Sequence, residues 1–330
     1  METAVLVGVI ALALAFNFTN GFHDAADAIA TAVGTRALTP RAALLIGAVM
    51  NLVGSFLGEG VARTIGSGII RAPDGLDGLK VALASLLGAI VWNLVTWWFG
   101  LPSSSSHALI GGMVGAALAA GSHVFWSGVV VKVVIPMVLS PLAGGLLGAG
   151  VMIAILWIFR RSNVRRMNHG FRRAQRYSAA AVAMGHGLQD AQKTMGIIVL
   201  ALVTTGHQDD FDIPVWVVFT SAAALSLGTY SGGWRIMRTL GRGIVPLNPP
   251  MGFAAEVTTA GVLYVTSFLW HAPVSTTHTI TAAIAGVGAI ERPAALRWIA
   301  AWHIVMAWVL TLPMSAAAGA LAYELIRLLP

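Results

Sequence analysis

Apolar residues run along this chain in stretches much longer than a soluble helix needs, separated by short polar clusters. The long stretches cover residues 3–33, 42–70, 127–158, 178–206, 213–234 and 295–327. About 20 apolar residues in a helix cross the hydrocarbon core of a bilayer, so each stretch is expected to span a membrane. Two further stretches, 81–121 and 252–290, are each cut by a Pro/Ser/Thr cluster. They predict pairs of short helices meeting at a break, in the manner of re-entrant hairpins. The fold class expected is therefore an all-α integral membrane protein with broken helices.

Composition supports that class. Hydrophobic residues make up 57% of the 330 positions and charged residues 10%, with a mean hydropathy of +0.80. Soluble domains carry about 25% charged residues. Cysteine is absent, which excludes disulfides and thiolate metal sites. The net charge of +7 does not point to nucleic acid. Seven arginines (Arg160, Arg161, Arg165, Arg166, Arg172, Arg173 and Arg176) crowd into one short segment between apolar runs. That is the pattern of a cytoplasmic loop under the positive-inside rule. The first apolar run continues into polar, functional-looking sequence, so it is expected to be retained and not cleaved as a signal peptide.

The chain also repeats itself. Arg63-Thr64-Ile65-Gly66-Ser67-Gly68-Ile69 returns 175 residues later as Arg238-Thr239-Leu240-Gly241-Arg242-Gly243-Ile244. Pro102-Ser103-Ser104-Ser105-Ser106-His107 returns after 171 residues as Pro273-Val274-Ser275-Thr276-Thr277-His278. Gly21-Phe22-His23-Asp24-Ala25 returns after 166 as Gly187-Leu188-Gln189-Asp190-Ala191. Three matches in one order describe a duplication: a first repeat at 1–158, a cytoplasmic basic loop at 159–177 and a second repeat at 178–330. Counting spans outward from the arginine segment gives the two repeats opposite orientations and puts both termini outside a cell membrane. Arg63, Arg71 and Lys80 then fall outside, against the charge rule.

Inverted repeats with broken helices characterise secondary transporters, whose substrates bind near the midplane at half-helix N-termini. Free backbone N–H groups and the helix dipole make such termini anion sites. Ser104, Ser105, Ser106, Ser275, Thr276 and Thr277 are expected to surround a small oxyanion there, although helix capping alone also explains such residues. His107 and His278 read as packed histidines. Asp24, Asp27, Asp190 and Lys193 lie within apolar runs, where each charge costs roughly 2.5–3.5 kcal/mol on insertion scales. They are expected to handle a coupling ion or proton. Glu256 is similarly isolated, and Asn93 is taken as its counterpart in the first repeat. Asp27 and Lys193 occupy equivalent places, so a cross-repeat ion pair is one expectation. A local pair of Lys193 with Asp190 is the other. The tryptophans Trp92, Trp97, Trp98, Trp298, Trp302 and Trp308 read as interface belt or packing.

These motifs resemble those of the PiT inorganic phosphate transporter family. Asn20-Gly21-Phe22-His23-Asp24-Ala25-Ala26-Asp27-Ala28 and His186-Gly187-Leu188-Gln189-Asp190-Ala191-Gln192-Lys193 are similar to the two copies of its signature. Trp92-Asn93-Leu94 through Leu101-Pro102-Ser103-Ser104-Ser105-Ser106-His107, Pro273-Val274-Ser275-Thr276-Thr277-His278, Ser231-Gly232-Gly233-Trp234-Arg235 and Gly252-Phe253-Ala254-Ala255-Glu256 also match its pattern. The resemblance implies a symporter of inorganic phosphate driven by protons or sodium, taken up by some bacterial members as a metal-phosphate complex, and a homodimer. It adds His23 and Gln189 to the substrate set and implies no cofactor and no resident metal. Asp27 stands where the family usually has Asn, and Gln189 replaces the Asn of the second copy. Arg63 stands where sodium-coupled members carry Glu, which favours protons. Alternatives are a sulfate permease of the same family, a membrane enzyme using Asp and His for acid–base work on phosphate esters, and a passive channel.

Overall fold

The computed structural model describes residues 2–328, which fold into twelve longer helices, a 3-10 turn at Pro293–Ala295 and one two-residue strand pair. The first half holds α1 (Glu2–Gly34), α2 (Pro40–Gly54), α3 (Gly60–Gly68), α4 (Leu76–Phe99), α5 (Ser105–Ala119) and α6 (Trp126–Ile158). The second holds α7 (Val164–Thr204), α8 (Val215–Ser231), α9 (Trp234–Gly243), α10 (Pro249–Trp270), α11 (Thr276–Glu291) and α12 (Trp298–Arg327). The order of long, short and broken helices in the first half returns in the second, as the repeated motifs imply. Strands β1 (Ile70–Arg71) and β2 (His123–Val124) pair antiparallel and tie the linker after α3 to the one after α5.

Five helices (α1, α4, α6, α10 and α12) are long and apolar enough to cross a membrane, and six spans result if α8 and α9 count as one. Their outward faces carry large exposed apolar side chains such as Leu146, Trp157, Phe219 and Ile299. Among lipid tails this exposure has no penalty. Backbone polar groups still need partners inside the bilayer, which helices provide within themselves.

Three sequence expectations change. The stretch 42–70 is not one helix: α2 ends at Gly54 and α3 begins at Gly60. Gly58-Glu59-Gly60 is poor helix former sequence, and the freed N–H groups of Val61 and Ala62 donate to Gln192 Oε1 at 2.8 and 3.2 Å. The arginine segment is not a loop throughout. From Val164 it is helical, capped by Asn163 Oδ1, which accepts from the N–H groups of Arg165 and Arg166. At 41 residues α7 is about 60 Å long, so its basic first turns extend beyond the hydrocarbon core. The stretch 213–234 bends by 57° between α8 and α9, where Gly232 adopts φ 80°.

The helices that carry the duplicated aspartates pack across the halves. Gly21 of α1 lies against the backbone of Leu225 and Thr229 in α8, and Gly187 of α7 lies against Asn51 in α2. A Cβ at either glycine would overlap backbone atoms, so glycine is what lets these helices approach. Hydrogen bonds tie these helices further: Asn17 Nδ2 donates to the Ser221 carbonyl between α1 and α8 at 2.7 Å, and Asn51 Nδ2 to Thr229 Oγ1 between α2 and α8 at 2.7 Å.

Candidate functional site

The two breaks are built alike. Gly100, at φ 66°, ends α4, and His271, at φ 48°, ends α10. Each is followed by an extended segment containing proline, and then a new helix begins. Ser104 Oγ accepts from the His107 N–H at 3.3 Å and Ser275 Oγ from the His278 N–H at 3.1 Å. Of the six hydroxyl residues, these two cap their helices. The equivalent residues one step on, Ser105 and Thr276, are buried and their hydroxyls have no protein partner among the described residues. Thr277 Oγ1 donates to Asp27 Oδ2 at 2.6 Å. Ser106, the equivalent of Thr277 in the first break, is also buried.

The breaks meet. The imidazoles of His107 and His278 lie edge to face with centroids 4.9 Å apart. Trp308 stacks on His278 at 4.0 Å and its indole N–H donates to the Pro102 carbonyl at 3.0 Å, locking α12 onto the first break. The expectation that both histidines are packed residues fits this arrangement, and Trp308 is a packing residue at the breaks.

The duplicated acids meet as well. Asp24 and Asp190, with His186, present ligand atoms all within 4.8 Å of one another. Asn20 Nδ2 donates to Asp190 Oδ2 at 2.9 Å, joining the halves. Asn20 and His186 are equivalent positions, each four residues before its motif aspartate and hence on the same helix face. Lys193 Nζ lies 2.6 Å from Asp190 Oδ1. The cross-repeat Asp27–Lys193 pair is therefore not the one formed: Lys193 takes the carboxylate three residues away on its own helix, and Asp27 takes a hydroxyl. The local partner wins because helix geometry already brings positions i and i+3 together.

His23 and Gln189 brace the breaks of their own halves. His23 Nδ1 is 2.6 Å from Asp24 Oδ1 and its Nε2 is 3.0 Å from Thr96 Oγ1, which in turn accepts from Ser103 Oγ at 2.8 Å. Gln189 Nε2 donates to Thr266 Oγ1 at 3.2 Å and to the Ala272 carbonyl at 3.3 Å. Thr96 and Thr266 close the broken helices at matching places. Sequence reading passed over both, and over Asn20 and His186, although the 166-residue offset of the aspartate motifs marks the latter pair.

Glu256 is not brought to this cluster. Its carboxylate accepts from Thr31 Oγ1 at 2.6 Å, Gln175 Nε2 at 3.0 Å and Ser178 Oγ at 2.5 Å. Thr31 lies seven residues beyond Asp24 on α1, about 10 Å along the axis. Nor is Asn93 its counterpart: Glu256 lies 17 residues before Pro273 and Asn93 nine before Pro102. Asn93 is buried one turn before Thr96, and its amide has no protein partner among the described residues.

All of these polar side chains are buried, so the cluster is closed to solvent from both ends in this conformation. It offers two helix N-termini, free hydroxyls, three carboxylates and one ammonium in one enclosed region. That combination suits binding an anion together with a cation or protons.

Comparison with known proteins agrees. Residues 20–319 match the phosphate transporter family. The probable low-affinity inorganic phosphate transporter of Bacillus subtilis is 45% identical over 97% of this chain and 97% of its own length. The corresponding protein of Rhizobium meliloti is 48% identical over 97% of this chain and 96% of its own. A solved structure of a sodium-dependent phosphate transporter superposes with a TM-score of 0.88 at 25% identity, over 99% of this chain and all of that one.

Proposed function

Since the chain belongs to the phosphate transporter family, we propose that it carries inorganic phosphate across the cell membrane as a proton-coupled symporter. It is a transporter and not an enzyme. In this reading the two halves are inverted repeats, the basic start of α7 faces the cytoplasm and both termini lie outside. Phosphate sits between the N-termini of α5 and α11, held by their N–H groups and by the hydroxyls of Ser105 and Thr276. Asp24, Asp27 and Asp190 stand beside it against a single ammonium, Lys193. A phosphate anion enters such a site only with positive charge, and protons arriving with it supply that charge. Rocking one half against the other then exposes the site to each side in turn.

The observation that carries this reading is the convergence of the two breaks, with the His107 and His278 rings 4.9 Å apart, each break offering one unclaimed hydroxyl. Arg63 supports protons over sodium, since it places a cation where sodium-coupled members of the family carry an acid. Purified protein in proteoliposomes tests it. Phosphate should accumulate under an inward proton gradient without sodium, excess sulfate should compete weakly, and adding a divalent cation will show whether a metal-phosphate complex is the form carried. Uptake that follows a sodium gradient alone, or a preference for sulfate, would overturn the reading.

A further inference from the structure

Asp24, His186 and Asp190 have the spacing of a cation site, and Lys193 changes what that site is. Its side chain is among the largest fully buried ones in the protein, and its ammonium lies 2.6 Å from Asp190 Oδ1. The other carboxylate oxygen accepts from Asn20 Nδ2 at 2.9 Å and has His186 Nε2 at 3.2 Å. Asp190 thus has the Lys193 ammonium at one oxygen and the Asn20 amide at the other. The equivalent place in the first half is Asp27, an acid. Among the described residues His23 is the hydrogen-bond partner of Asp24, at 2.6 Å, and one oxygen of Asp27 has no protein partner. The duplication has become asymmetric in charge: neutralised from within on the Asp190 side, open on the Asp24 side.

We propose that Lys193 is a tethered counter-cation, its ammonium filling the place at Asp190 that a free alkali cation would otherwise take. Only the Asp24 and Asp27 side then takes up a mobile positive charge. Lys193 is thereby a specificity-determining residue: it removes a sodium requirement from one half of the site. The structurally similar transporter is sodium-dependent, so the two proteins share a fold and differ, in this account, in where one cation comes from. Burying a charge without a partner is costly. Removing the lysine therefore leaves Asp190 as a carboxylate able to recruit sodium from solution.

The experiment compares wild type, Lys193→Met, Lys193→Arg and the double variant Asp190→Asn/Lys193→Met in sodium chloride and in choline chloride at equal ionic strength. Thermal unfolding of the purified proteins reads sodium binding without requiring transport. The inference rests on the symport reading for its uptake arm alone, and failure of either can be told apart. Sodium should raise the melting temperature of Lys193→Met by about 2 °C or more relative to choline. It should raise wild type, Lys193→Arg and the double variant by less, because only Lys193→Met frees the Asp190 carboxylate. In proteoliposomes, phosphate uptake by Lys193→Met should become sodium-dependent. Equal stabilisation of wild type by sodium, sodium dependence in Lys193→Arg, or indifference of Lys193→Met to sodium would each overturn the proposal. If Lys193→Met folds only in sodium, the proposal stands. If it folds in neither salt while the double variant folds, sodium does not replace the ammonium and the proposal fails.

Discussion

Asn20 of the first half donates its side-chain amide to Asp190 of the second across 2.9 Å, between residues 170 apart in sequence. The bond joins the two recurring aspartate motifs directly. It also explains why a polar residue belongs at position 20 within an apolar run. In a bilayer an unpaired polar group has no water to turn to.

Asn20→Ala removes that bond and leaves one oxygen of Asp190 short of a donor. The expected loss is about 1–3 kcal/mol of stability, read as a lower melting temperature, with phosphate uptake reduced. Asn20→Asp should be worse, since it sets a second carboxylate against the first. Unchanged stability in both would show that the contact contributes nothing.

Ser105→Ala and Thr276→Val separate the binding and capping readings of the break motifs. Among the described residues these hydroxyls have no protein partner, so their removal should leave stability within about 0.5 kcal/mol of wild type while raising KM for phosphate. Ser104→Ala and Ser275→Ala should do the opposite and cost about 1 kcal/mol each as lost caps. Equal stability losses in all four variants would mean capping alone.

Asp24→Asn and Asp190→Asn are expected to end gradient-driven accumulation of phosphate while the purified proteins remain folded and monodisperse. Asp190→Asn also strips Lys193 of its partner, and a buried ammonium left alone destabilises by roughly 3–5 kcal/mol, so the melting temperature should fall further than for Asp24→Asn. Wild-type accumulation by either variant would remove that aspartate from the coupling machinery.

Glu256 joins α1, α7 and α10 through Thr31, Gln175, Ser178 and its own helix. Glu256→Gln replaces one accepting oxygen by an N–H2 facing donors, and should cost about 1–3 kcal/mol and slow transport, with phosphate binding retained because the breaks are untouched. Loss of phosphate binding measured by calorimetry would instead place Glu256 in the substrate site.

The membrane class and the two helix breaks were legible in the sequence, as were the three recurring motifs. Each rests on local chemistry: whether a segment prefers lipid to water, whether proline interrupts it, whether a motif recurs. Glycine-rich turns and helix extensions were less legible. Gly58-Glu59-Gly60 divides α2 from α3, and the arginines from Val164 onward form solvated helix. An apolar stretch or a charge run does not by itself say where hydrogen bonds stop.

Which polar residue meets which was decided by tertiary structure. Sequence alone allowed Lys193 to face Asp27 or Asp190, and it offered Glu256 and Asn93 as equivalents. Packing of α1 against α8 and of α7 against α2, through glycines with no room for a Cβ, brings Asn20 to Asp190 and collects Asp24 and His186 beside it. The same packing leaves Glu256 a separate cage along α1. Hydropathy sorts segments between lipid and water one at a time, whereas partners for buried polar groups are fixed only when helices far apart in the chain come into contact.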